Sequence, residues 1–184
     1  MAEIHVTGLA DLQKFLDQLP AKLEANVMRS ALRMGAKVIE AQVKTNVPVG
    51  PPSGTNKKRY GGVVGALRDS VRVTTRRKRG KVTASVKAGG KTKRGADVYY
   101  AHMVEFGTAA HTITAKNRKH LSFGGLFFQS VEHPGARARP FMRPALDGQA
   151  QNALVATAEY IKKRLATKHG LDTSGIEISI GEGE

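Results

Sequence analysis

The chain has 184 residues, 40% of them apolar, and carries a formal net charge of +15 with a pI near 10.3. That length suits one domain, spanning 1–184, and with Trp absent its core must be built mainly from Val, Leu, Ile, Met and Ala. The lack of cysteine excludes disulfides, thiolate metal sites and cysteine nucleophiles, no run approaches the roughly 18 apolar residues of a membrane span, and no signal peptide is expected at the N-terminus.

Ile4 and Val6 alternate with polar neighbours and predict a short strand, punctuated by Gly8. Leu9, Leu12, Phe15, Leu16 and Leu19 recur at helical steps and predict a helix over 9–19. Pro20 suits the first turn of a second helix. Leu23, Val27, Met28, Ala31, Leu32, Met34, Gly35, Val38, Ile39 and Val43 give that helix a broad apolar stripe, stopped near Asn46 by Pro48.

Residues 48–65, rich in Pro, Gly and Lys, have no periodicity and read as a mobile loop. Val71, Val73 and Thr75 then alternate with Arg72, Thr74 and Arg76, and Val82, Ala84 and Val86 with Thr83, Ser85 and Lys87. Joined by Arg77-Lys78-Arg79-Gly80, they predict a hairpin with one apolar and one basic face. From Lys57 to Arg94 there are fourteen Lys or Arg residues and one acid, Asp69. Such a field attracts polyanions, or an acidic protein, without regard to sequence; the plainer alternative is a solvated basic loop.

A Gly- and Lys-rich connection over 88–96 leads to residues 98–106, which predict a third strand with Val98, Tyr100, Val104 and Phe106 on one side and Tyr99, Ala101 and Met103 on the other, either central or sandwiched between a helix and a partner surface. Residues 107–138 are long for a connection and read as a mobile segment. Within it Leu121–Phe123 and Leu126–Val131, separated by Gly124-Gly125, form a projecting hairpin. Leu146, Ala150, Ala153, Leu154, Thr157, Ile161 and Leu165 predict a closing helix over 140–168, with Gly170 as its C-cap. The tail, 171–184, carries Ile176, Ile178 and Ile180 in alternation, as an added strand or an arm that pairs with a neighbour. Together these elements predict an α+β fold. Two long helices pack on an antiparallel sheet of three to five strands, with long basic loops and a projecting hairpin, and the sheet edges are docking sites.

Little in the sequence points to catalysis. The six histidines are scattered without a zincin spacing, although the 107–138 segment could bring His111 and His133 together. Asp69, Asp97, Glu105 and Asp147 are the few acids available for acid–base work. Gly61-Gly62-Val63-Val64-Gly65 lacks the strand–turn–helix setting of a dinucleotide loop. The expectation is no enzyme, no metal and no cofactor. Only Tyr60 lies within the basic segment, so contact with nucleic acid would be to phosphates and non-specific. A non-specific DNA-binding accessory protein is the alternative from another class.

Three stretches carry a family likeness: Val47-Pro48-Val49 with Gly65-Ala66-Leu67-Arg68-Asp69-Ser70-Val71; Tyr100-Ala101-His102-Met103-Val104-Glu105-Phe106-Gly107-Thr108; and His133-Pro134-Gly135 with Ala138-Arg139-Pro140-Phe141-Met142-Arg143-Pro144-Ala145. His111–Asn117 fits the same pattern. In this order, over roughly residues 20 to 168, they resemble the neck or tail-completion family of long-tailed bacteriophages, the lambdoid tail components that join head to tail. The resemblance implies a structural virion protein assembled in the host cytoplasm, without membrane contact or catalytic function. It would form a homo-oligomeric ring, sixfold or twelvefold, at the head-proximal end of the tail. Its neighbours would be the tail terminator, tail tube or head-closure proteins, and it would surround the path of packaged DNA. A tail terminator or a head-closure protein of the same junction is the nearest alternative.

Arg76, Arg77, Lys78, Arg79, Glu105, Phe106, Arg139, Phe141 and Arg143 are the expected partner contacts. Lys57, Lys58, Arg59, Lys91, Lys93 and Arg94 are candidates for DNA phosphates. Within these sets Pro140 would sit in the first turn of the closing helix and Phe141 would pin that helix to the sheet. Arg139 and Arg143, four apart on one helical face, could pair with Glu105 or grip an acidic neighbour.

Overall fold

The computed structural model describes residues 5–6, 9–17, 21–50, 64–115, 120–123, 125–170, 173, 178 and 180–181. Strand β1 (His5–Val6) leads to helices α1 (Leu9–Asp17) and α2 (Ala21–Asn46). The short helix α3 (Ala66–Ser70) precedes strands β2 (Arg72–Lys78) and β3 (Lys81–Lys87). Strands β4 (Gly90–Lys91) and β5 (Asp97–Val98) and helix α4 (Ala101–Phe106) follow. Next come β6 (His111–Thr114), β7 (Leu121–Phe123), β8 (Leu126–Phe128) and β9 (Ser130–His133). The long helix α5 (Met142–His169) and strand β10 (Ile180–Gly181) close the chain. Most of the loop expected over 48–65 lies outside the described residues, including Lys57, Lys58 and Arg59.

Helix α2 ends for a local reason. Val47 still donates its N–H to the Val43 carbonyl at 3.0 Å, but it precedes Pro48, and a residue before proline is disfavoured in the helical region. The middle of α2 carries Gly35 where α5 crosses. A Cβ there would overlap Thr157 Oγ1 and the Ala153 carbonyl, so the missing side chain sets how closely the two helices approach.

The core lies in two parts along this helix pair. One gathers Leu12 and Leu16 of α1, Val27 and Ala31 of α2, and Ala158, Ile161 and Leu165 of α5. The other joins Val43 and Val47 to Leu67, Val71, Val98, Ala101, Phe141 and Ala145. The start of α2 thus meets the end of α5 and the reverse, so the two helices run antiparallel. Each fully buried Leu or Phe contributes on the order of 1.5–3 kcal/mol. Helix α2 also packs against β2 and β3, which leaves it between α5 and that ribbon.

The fold is α+β, but its strands do not form the single sheet expected. Among the described residues they make separate two-stranded antiparallel ribbons: β1 with β10, β2 with β3, β4 with β5, β6 with β9, and β7 with β8. A short apolar run cannot by itself reveal which strand it pairs with, and here each pairs within its own hairpin or with the far terminus. Ile180 pairs with Val6 of the same chain, so this part of the tail is an added strand rather than an arm.

Residues 98–106 are the clearest correction. Only Asp97 and Val98 extend as strand; Tyr99 and Tyr100 turn, and residues 101–106 are helical. Ala101 and Glu105, four apart, are buried, with Val104 partly so, which is a helical spacing that the alternation of Val98, Tyr100, Val104 and Phe106 masked. The closing helix differs in part from the expected 140–168, running Met142–His169. Leu146 and Leu154, two of the apolar residues in its helical register, are exposed, as is Met34 of the α2 stripe, while Ala145 and Ala158 are buried. Gly170 does close that helix, its N–H bonding the Leu165 carbonyl.

Candidate functional site

Glu105 organises the joint on which the candidate site is built. It is 8% exposed and sits near the end of α4. Its Oε2 accepts the N–H groups of Phe141 at 2.7 Å and Met142 at 3.0 Å, and its Oε1 accepts that of Arg143 at 3.1 Å. The first turn of a helix leaves four N–H groups without intrahelical partners. Here three are met by one carboxylate, and the fourth position, Pro144, has no N–H to satisfy. A negative charge at this end of a helix is further favoured by the helix dipole. Burial works to raise the Glu105 pKa, but the three backbone donors and the nearby Arg143 charge outweigh it and hold the carboxyl below its ordinary value.

Several expected partner contacts change role as a result. Phe141 is 1% exposed and belongs to the core, so it and Glu105 join α4 to α5. The helix begins after Phe141, leaving Pro140 and Arg139 outside it, so Arg139 and Arg143 do not share a helical face. Arg139 instead uses its backbone N–H, which donates to the Val104 carbonyl at 2.8 Å. In place of the expected ion pair, the Glu105 carboxylate accepts three backbone N–H groups, and Arg143 acts on it through its charge. Gly107 follows at φ 75, where a Cβ would lie 2.6 Å from the Ala136 carbonyl. That turn and close approach explain the Phe106-Gly107-Thr108 motif, and Thr108 and Ala136 then exchange backbone hydrogen bonds at 2.9 and 3.1 Å.

Around this joint the surface forms an apolar groove of about 540 Å³. Its walls are Ile39 and Val43 of α2, Ala84 and Val86 of β3, Ala101 and Phe106 of α4, and Met142 and Leu146 of α5. Phe106 is 80% exposed at its rim, and Leu146 and Met103 are exposed as well. His102 and Arg143 are the polar side chains in it besides Glu105. No motif marks this groove, since its residues come from four separate elements.

A second apolar surface lies on the hairpin built from β6 to β9. His111–Thr114 pairs with Ser130–His133 at its base, and Leu121–Phe123 with Leu126–Phe128 toward its tip. Thr112 Oγ1 donates to Glu132 Oε1 across the base at 2.6 Å. His111 and His133 do meet, as a cross-strand pair with ring centroids 5.0 Å apart. Among the described residues no group of three or more His, Cys, Asp or Glu is placed to hold a metal ion. Toward the tip Leu126 and Phe127 are 63% and 73% exposed, and Ile113, Phe128 and Val131 add to the apolar surface.

The β2–β3 ribbon supplies a third surface of different chemistry. Arg79 (φ 49) and Gly80 (φ 77) form the two-residue turn, and Lys78 pairs with Lys81, the geometry that suits the twist of a hairpin. Side chains alternate between faces. Val73, Val82, Ala84 and Val86 lie on the face toward α2, and Arg76, Lys78, Lys81 and Lys87 on the other. Arg77 falls on the apolar side, apart from Arg76 and Lys78. Lys81 and Lys87, which the same alternation would have identified, belong with Arg76 and Lys78. A concavity of about 560 Å³ on this outer face is lined by these cations with Arg79, Thr74, Thr83 and Ser85. Lys91, Lys93 and Arg94 are exposed nearby in sequence, on β4 and the turn after it. Arg94 is 3.5 Å from Asp69, a surface ion pair that contributes little to stability.

The family model described as "Bacteriophage HK97-gp10, putative tail-component" matches residues 10–107. No curated protein and no solved structure matches the chain.

Proposed function

Because the chain belongs to the HK97-gp10-like family of bacteriophage tail components, we propose that it is a structural protein of the neck, completing the tail and joining it to the head. The observation that carries this reading beyond the family is the pair of separate apolar surfaces, the groove at the α4–α5 joint and the hairpin tip. Leu126 and Phe127 stand in water on a narrow ribbon, and Phe106 does so beside the groove. Exposed apolar patches of this kind mark interaction sites. Two different patches, rather than one self-complementary patch, favour head-to-tail contacts between copies, and such contacts close into rings when the rotation allows.

The ring would sit at the head-proximal end of the tail, against the tail terminator, tail tube or head-closure proteins, in the virion. A tail terminator or head-closure protein would use the same kinds of surface, so the captured neighbour separates these roles. The test is to purify particles, detect the chain in them, and cross-link it in place. Recovery with itself and with proteins of the head–tail junction is expected. A chain that stays monomeric at high concentration and is absent from purified particles would overturn the reading.

A further inference from the structure

We infer that the outer face of the β2–β3 ribbon is a binding surface for the phosphate backbone of duplex DNA. Arg76, Lys78, Arg79, Lys81 and Lys87 are all exposed on this face and its turn. Among the described residues none of them forms an ion pair within the chain, whereas Arg94 is partnered by Asp69. Arg72, the remaining cation of the face, is committed: its Nη1 donates to the carbonyls of Ser70 and Gly89 and fixes the base of the ribbon. The opposite face is covered by α2, so the ribbon is held rigid with its charges outward.

An acidic protein is the rival partner for so basic a face, and the composition of the face decides against it. Protein interfaces are anchored by buried aromatic and apolar residues and are depleted in Lys. This face offers none of those anchors; its other members are Thr74, Thr83 and Ser85. Cations interleaved with hydroxyls are the usual donors to phosphate oxygens, and protein–DNA interfaces are more polar and more positive than protein–protein ones. Along a strand, side chains on one face repeat every ~7 Å, and a two-stranded ribbon is a shape the major groove admits. With no aromatic to stack on bases and no amide side chain to read their edges, binding is to the backbone and independent of sequence.

This inference rests on the neck reading only for the source of the DNA. The full-length chain is titrated with random-sequence duplex DNA from 50 to 200 mM salt. It is compared with a variant carrying Arg76→Gln, Lys78→Gln, Lys81→Gln and Lys87→Gln, and with a control losing the same charge from the exposed helix positions Arg29, Arg33, Lys37 and Lys163. If each ribbon cation displaces one counterion, the log–log salt slope of the ribbon variant is shallower than wild type by about 3 to 4, so its affinity loss over that range is smaller by roughly 100-fold. The control keeps the wild-type slope. Equal changes in both variants would reduce the effect to net charge and overturn the inference, as would an unchanged slope in the ribbon variant. A ribbon variant that binds DNA normally but is no longer built into particles would assign the face to an acidic protein instead. Absence of the wild-type chain from particles would undo the neck reading while leaving the salt slope intact, so the two failures are distinguishable.

Discussion

One carboxylate holds together two parts of the chain that are 36 residues apart. Glu105 is charged because three backbone N–H groups and Arg143 favour the ionised form over the cost of its burial. Glu105→Ala should therefore cost about 2–4 kcal/mol, combining a lost cap with lost charge-assisted hydrogen bonds. Glu105→Gln, which keeps the shape, should cost less. A group whose folded pKa is depressed contributes stability that is complete above its unfolded value, about 4.3 for glutamate, and is lost as the pH falls through the folded value. Urea unfolding should then show a gap between wild type and Glu105→Gln that is full at pH 7 and closes in strong acid. A gap that does not narrow as the pH falls would mean that charge is not the cause. Gly35 makes a second residue-scale prediction. Gly35→Ala should destabilise by about 1–3 kcal/mol through overpacking, and Thr157→Ala should restore only part of this, because the Ala153 carbonyl also stands in the way.

At the scale of elements, the same kind of ribbon serves two opposite chemistries. The β2–β3 ribbon is supported by α2 and turns cations outward, whereas the β6–β9 hairpin turns Leu126 and Phe127 outward near its tip. Apolar side chains left in water contribute almost nothing to the fold. Leu126→Ser with Phe127→Ser should change the unfolding free energy of the monomer by no more than about 0.5 kcal/mol. The same pair should remove higher-order species in sedimentation and cross-linking. Loss of stability without loss of assembly would show that the tip packs on its own chain.

For the whole molecule, α2 and α5 form a rigid antiparallel pair, and the candidate surfaces are arranged around it. The groove depends on that pair, since Ile39, Val43 and Leu146 are held in place by the helices that also bury Val27, Ala31, Ile161 and Leu165. If copies associate through groove and tip, folding and assembly are linked. The melting temperature of the wild type should then rise with protein concentration, and that of the tip variant should not.

Which parts of this were legible beforehand follows from the range of the forces involved. The long helices, the basic hairpin, the projecting hairpin and the Gly170 cap are written in local periodicity and turn chemistry, which act over a few residues. The family was legible too, because the stretches Gly65–Val71 and Tyr100–Gly107, which mark the turns around α3 and α4, lie within the matched residues 10–107. What periodicity could not decide was residues 98–106, where an alternation of apolar residues fitted a strand and buried spacing four apart made a helix. The capping role of Glu105, the burial of Phe141, the exposure of Leu146 and the groove itself all depend on contacts between residues distant in the chain. Those contacts are chosen by packing and by the need to satisfy buried N–H groups, and only the tertiary structure fixes them.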